Sequence, residues 1–130
     1  MQLNVTTDYA IRIVLYLASK QCVANSNEIA ENMGIPQSYI LKITKTLKQA
    51  GILSEKRGVD GGFVLRRDPD ELTLLDIVSA LERTVNINRC LEDDEYCSRA
   101  AVPFCEVRKV LVKLQGQLEE GLSVKISQFT

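Results

Sequence analysis

The tripeptide Gly34-Ile35-Pro36 sets the narrowest limit on how this chain can fold. Glycine ends a helix by taking the left-handed backbone conformation that other residues avoid, and proline suits the first turn of the next helix. Upstream, Asn25 with Glu28 three residues later reads as a capping box opening a short helix from Ser26 to Met33. Downstream, a second helix runs from Pro36 to about Ala50, and Gly51 stops it. Two helices joined by so tight a turn form the helix-turn-helix pattern. On the second, Ile40, Ile43 and Leu47 make a buried stripe, while Ser38, Lys42, Lys45 and Gln49 make the opposite one. All four outer residues donate hydrogen bonds and two are cations, as a recognition helix in the major groove requires.

The flanking segments extend this unit. Thr6 or Thr7 is the expected cap of a first helix running to about Lys20. Its apolar residues Ile11, Ile13, Val14, Leu15, Leu17 and Ala18 cover much of its circumference, which points to burial on more than one side, a second subunit included. Ile52 to Lys56 and Gly62 to Arg66 read as two short strands joined by Arg57-Gly58-Val59-Asp60-Gly61, a β-hairpin wing. Gly61 and Gly62 would allow close approach to a phosphate, and Arg57 could enter the minor groove. Asp68-Pro69 ends the wing, and Thr73 with Asp76 caps another helix through Leu81. Charge follows the same division. The net charge of the chain is −1, yet from Pro36 to Arg67 seven basic residues face only Glu55 and Asp60. That basic patch is the electrostatic footprint of a DNA-binding surface, against the plainer reading of a solvated face.

From Glu82 to Val102 the periodicity fails, and the segment turns polar and acidic, with a run at Glu92-Asp93-Asp94-Glu95. Three of the four cysteines, Cys90 and Cys97 within it and Cys105 just beyond, fall within sixteen residues; the fourth is Cys22. After Pro103 a long helix is expected, with a heptad-like seam of Phe104, Val107, Leu111, Leu114 and Leu118 suited to a partner helix. The tail from Ser123 is expected to be loosely held. The reading is therefore a mostly α chain in three parts: a winged helix-turn-helix with a two-stranded wing over 1–83, a cysteine loop over 84–105, and a long C-terminal dimerisation helix with its tail over 106–130.

There is no histidine, which removes the commonest general base and nitrogen ligand and leaves no Ser-His or Cys-His catalysis. No phosphate-cradling loop or activated nucleophile is visible, so an enzyme with a small-molecule substrate is not expected. The N-terminus lacks a basic start followed by a long apolar core, and the apolar run from Ile11 to Ala18 is short and carries Arg12. A cytoplasmic location without membrane association is expected. There cysteines serve more often as ligands or reactive thiols than as structural disulfides. Three of them beside a DNA reader suggest a metal or redox centre.

These residues together resemble the bacterial IscR/NsrR family of winged-helix repressors, the Rrf2 type. The resemblance rests on Thr7-Asp8-Tyr9-Ala10, on Ile29-Ala30 and Ile35-Pro36-Gln37-Ser38-Tyr39-Ile40, and on Arg57-Gly58 with Gly61-Gly62-Phe63. It continues through Thr73-Leu74-Leu75-Asp76-Ile77 and the three late cysteines. It implies a homodimeric repressor on a double-stranded DNA operator. It also implies an iron–sulfur cluster that senses nitric oxide, redox stress or iron status. Cys90, Cys97 and Cys105 would be cluster ligands, with 4Fe–4S placed ahead of 2Fe–2S. The fourth ligand in IscR-type members is a histidine, absent here; in NsrR-type members it is an aspartate of the first helix, and Asp8 stands at that place. Asp8 also has the plainer role of an acid favouring its helix dipole. Zinc would normally use C-x2–4-C pairs, which this chain lacks, whereas wide gaps suit a larger group. Arg89 and Arg99 could offset cluster charge or be surface residues, and one of the acids from Glu92 to Glu95 could be an alternative oxygen ligand. At the DNA, Gln37, Ser38 and Tyr39 would lie nearest base edges, Lys42, Lys45 and Lys48 on phosphates, and Arg57, Gly61 and Gly62 at the wing. The alternative is a cluster-free regulator of the same fold that responds through thiols or a partner protein.

Overall fold

The computed structural model describes residues 1–130. It consists of α1 (Val5–Lys20), α2 (Ser26–Met33), α3 (Gln37–Gln49), β1 (Leu53–Lys56), β2 (Gly62–Leu65), α4 (Leu74–Leu81) and α5 (Glu106–Leu122). Three short 3-10 turns lie at Arg89–Leu91, Val102–Phe104 and Ile126–Phe129. The mostly helical class with a two-stranded wing is the one expected from the sequence.

Local chemistry explains most boundaries. The Asn25 side chain accepts from the Glu28 amide at the start of α2, and Gly34 takes φ 64° at its end. The Glu28 carboxylate does not close the capping box; it reaches instead to the Tyr16 hydroxyl and Lys20. Pro36 stands one position before α3 as its N-cap rather than within its first turn. At α4 the capping box is complete, with Thr73 Oγ1 accepting from the Asp76 amide and Asp76 accepting from the Thr73 amide.

The expected threonine cap of α1 is not found. The helix starts earlier, with Asn4 as N-cap and no side-chain cap bond, while the Asn4 amide donates to Glu82 Oε1 at 2.8 Å. Thr7 is wholly buried inside the first turn, and its hydroxyl is the one buried side-chain polar atom without a partner. The apolar circumference of α1 is absorbed within one chain: it packs on α2, α3, α4, β2 and the Ile126–Phe129 turn. That packing accounts for most of its apolar surface and leaves Ile11 and Leu15 half-buried. The core gathers Ile13, Val14 and Leu17 of α1, Ile29 of α2, Ile40, Ile43 and Leu47 of α3, Phe63 of β2 and Ile77 of α4.

The wing is antiparallel, pairing Leu53 with Leu65 through Lys56 with Gly62. A third segment extends it, because Phe63 and Ala24 exchange backbone hydrogen bonds of 2.8 and 3.0 Å. The tail also departs from expectation. Ile126 is fully buried in the core, Lys125 forms a bridge with Thr73, and the Ile126 amide donates to Leu72 at 2.8 Å. A buried isoleucine with paired backbone anchors the chain end against the entry to α4. No helix is long and apolar enough to cross a membrane.

Candidate nucleic-acid interface and cysteine site

The face of α3 turned away from the core carries Gln37, Ser38, Lys42, Lys45 and Gln49, all exposed. Two residues expected on it are engaged elsewhere. Tyr39 is half-buried, its ring set edge-on against Tyr9 with centroids 5.2 Å apart. Lys48 donates to Glu55 Oε1 of β1 at 2.5 Å and lies 5.9 Å from the centre of the Phe63 ring. The hydrogen bond and charge of Lys48 hold the Glu55 carboxyl below its usual range. Gln37 reaches back to Ser26 Oγ at 3.1 Å. The sequence pattern missed Leu41, which is 67% exposed on this surface.

At the wing, Lys56, Arg57 and Val59 project into solvent. The two glycines have reasons within the chain. A Cβ on Gly61 would collide with the Lys56 carbonyl oxygen, and one on Gly62 with the Ala24 carbonyl oxygen. They let the turn close and let β2 lie against Ala24.

A second arrangement ties α1 to the helix-turn-helix. Arg12 donates to Asp8 Oδ2 at 2.7 Å, one helical turn back, and to the Met33 carbonyl at 3.1 Å. Its guanidinium lies 5.3 Å from the centre of the Tyr9 ring, which in turn meets Tyr39. One cation thus joins the Asp8 carboxylate, the end of α2 and the start of α3.

The three late cysteines line one open cavity of about 260 Å³. All are partly buried and none forms a disulfide. Residues up to fifteen positions apart meet because the chain between α4 and α5 folds back on itself. Thr84 and Asn86 donate to the Glu92 carboxylate at 2.6 and 3.0 Å, which lowers its pKa through those bonds. Glu92 is thereby occupied as a loop staple rather than free as a ligand. Arg89 grips Asp94 through two bonds of 2.5 and 2.6 Å, and this hydrogen bonding holds the Asp94 carboxyl down at about 2. Arg89 also lies 5.2 Å from the Tyr96 ring centre. Arg99 is exposed.

Two of the three sulfurs meet a hydrogen-bond donor. Asn88 Nδ2 lies 3.2 Å from Cys90 Sγ, and the Arg108 amide lies 3.4 Å from Cys105 Sγ, which caps α5. At Cys97 the neighbouring backbone amides, that of Ala101 most strongly, pull the thiol pKa below its ordinary value. Ala100 takes φ 53°, a left-handed conformation that costs a non-glycine residue about 1 kcal/mol, and its amide donates to the Cys97 carbonyl at 3.0 Å. Sequence reasoning passed over Asn88 and Arg108. Arg108 also donates to the Cys90 carbonyl at 3.4 Å and faces Glu95 at 3.6 Å, so it links two of the cysteines. Its position three residues into a helix that opens at Cys105 was the available signal. Asp8 does not line this cavity and is paired with Arg12. No three cysteine, aspartate or glutamate side chains converge tightly enough to hold a single metal ion.

The family model described as Rrf2, iron-dependent transcriptional regulator, matches residues 3–129. The HTH-type transcriptional regulator NsrR of Bacillus subtilis (strain 168) is 29% identical over 113 residues, covering 85% of this chain and 77% of that protein. Protein aau3 of Rhizobium meliloti (strain 1021) is 33% identical over 96 residues, covering 73% of this chain; the alignment spans 62% of aau3, less than two thirds of it. Among solved structures, CymR, the global cysteine regulator of B. subtilis, superposes with a TM-score of 0.80 at 23% identity, over 99% of this chain and 95% of that one. At that identity the superposition speaks for the fold.

Proposed function

This chain belongs to the Rrf2 family of transcriptional regulators, and we propose that it is a homodimeric DNA-binding repressor that senses nitric oxide, redox state or iron supply through an iron–sulfur cluster. The observation that carries the sensing part is the convergence of three unpaired thiols on one cavity, two of them, Cys90 and Cys105, met by a hydrogen-bond donor. Donors aimed at sulfur favour the thiolate, which is the form that binds iron. The donor set is soft, as a cluster requires. Val102 and Leu111 line the same cavity. When bound, a cluster supplies a centre that oxidants, nitric oxide or iron loss can dismantle.

In this reading Cys90, Cys97 and Cys105 hold three corners, with 4Fe–4S preferred to 2Fe–2S. Asp8 of the other subunit would supply the fourth ligand. Asp8 would then have to leave Arg12, and Arg12 also holds the end of α2. Exchange of that carboxylate between Arg12 and the cavity would be a route from sensor to recognition helix.

The exposed polar face of α3 supports insertion into the major groove of a double-stranded operator, with the wing at Arg57 along the neighbouring backbone or minor groove. The exposed apolar side chains of α5 support the homodimer, which would match two half-sites by symmetry. No catalytic constellation is proposed.

The test is purification without oxygen, a visible spectrum, and iron and acid-labile sulfide per subunit. A brown protein with about four, or about two, of each supports the cluster and sets its type. Colourless protein that takes up no iron on anaerobic reconstitution refutes it. The second reading, a cluster-free regulator acting through thiols or a partner protein, is favoured by the lowered pKa of Cys97. It requires colourless protein whose DNA affinity changes on thiol oxidation.

A further inference from the structure

Every large apolar side chain of α3 but one is turned to the interior: Ile40, Ile43 and Leu47 are at most 1% exposed. The exception, Leu41, is 67% exposed. It lies one helical turn after Gln37 and one before Lys45, on the row that the core does not use. A single exposed leucine is ordinary on a protein surface. Its setting here is not, because its exposed neighbours along the helix are hydrogen-bond donors and cations, Ser38, Lys42 and Lys45 among them. Those groups suit phosphates and base-edge acceptors. Among groups in the major groove, the thymine C5-methyl is the one an aliphatic side chain recognises.

We propose that Leu41 is a specificity residue that packs against a thymine methyl, so that the preferred operator carries an A·T pair of fixed orientation under the centre of α3 in each half-site. This inference rests on the DNA-binding reading above and deepens it. Two residues expected to read bases or phosphates already have partners within the chain, Tyr39 on Tyr9 and Lys48 on Glu55. Leu41 is therefore left with fewer competitors for the centre of the contact, flanked by Gln37 toward the start of the helix and Lys45 toward its end.

The test uses a duplex selected by the purified full-length protein from a random-sequence pool. Each thymine of that duplex is then replaced singly by deoxyuridine, which keeps the pairing edge and the O4 acceptor and lacks only the methyl. At one position per half-site the wild-type protein should bind the uracil duplex about fourfold more weakly, the value of one buried methyl group. Leu41→Ala, on an exposed site, should fold normally, bind the thymine duplex more weakly by a similar factor, and no longer distinguish thymine from uracil at that position. A scan flat at every position, or a thymine preference undiminished in Leu41→Ala, overturns the assignment while leaving DNA binding intact. Failure of the pool to yield any enriched sequence overturns the DNA-binding reading and this assignment with it.

Discussion

Lys48 and Tyr39 lie on the helix proposed to meet DNA, yet each is already held within its own chain. A lysine paired to Glu55 and resting near Phe63 has less charge to offer a phosphate than one standing free. Lys42 and Lys45 have no such partner. Replacing either with alanine should lower the slope of log affinity against log salt by about one unit. Lys48→Ala should change that slope by clearly less, and an equal change would place Lys48 among the phosphate contacts after all. Titration offers a second check at this scale. Arg89 holds the Asp94 carboxyl down at about 2, from an ordinary 3.8. A depressed pKa means that this pair steadies the loop above the ordinary value and ceases to do so as pH falls toward 2. The Asp94 carboxyl resonance should therefore titrate near 2 in the wild type, and return close to 4 in Arg89→Gln.

At the scale of elements, helices with local signals were legible and those without were not. The limits of α2, and the Thr73–Asp76 box of α4, could be read because the residues that cap a helix lie within four positions of its end. The start of α1 was misread because Asn4 is fixed by Glu82, a residue seventy-eight positions away. The attachment of α5 was hidden for a similar reason. Gln115, its one buried side chain, donates to the Val85 carbonyl at 3.0 Å and accepts from the Ile87 amide at 2.8 Å. A glutamine within a charged helix looks like surface. Gln115→Ala should cost about 2 kcal/mol in chemical denaturation, because two backbone groups lose their partner where water is largely excluded. A loss within a few tenths of a kcal/mol would mean that water replaces the amide without penalty.

For the whole molecule the proposal of a homodimer rests on α5. The seam read from sequence placed Leu111 with Val107 and Leu114, but Leu111 turns partly toward the cysteine cavity. Val110 takes its place in the exposed row, at 57% exposure, with Phe104 and Val107 each at 66% and Leu114 at 45%. Val107 also lines the cavity, so the proposed dimer face and the sensor share a residue. Val110→Glu should shift the protein from dimer to monomer in sedimentation velocity, with helix content unchanged by circular dichroism. A variant that stays dimeric would remove α5 from the interface. The apolar circumference of α1, read from sequence as a second sign of dimerisation, packs on five other elements of the same chain and leaves Ile11 and Leu15 half-buried.

The division follows the range of the forces involved. Helix periods, caps, glycine stops and the wing turn act over a few residues, so the order of elements and the winged helix-turn-helix could be read directly from the chain. The cysteine cluster was visible as a spacing, and the IscR/NsrR likeness supplied a use for it. Tertiary structure alone decided that three sulfurs share one cavity, that Asn88 and Arg108 face them, and that Asp8 rests on Arg12. It also decided that Tyr39 and Lys48 find partners within the chain while Leu41 stays exposed, and that Ile126 draws the tail into the core. Each of these depends on which groups are brought together from distant parts of the chain, and a side chain's availability is known only once its nearest partners are in place.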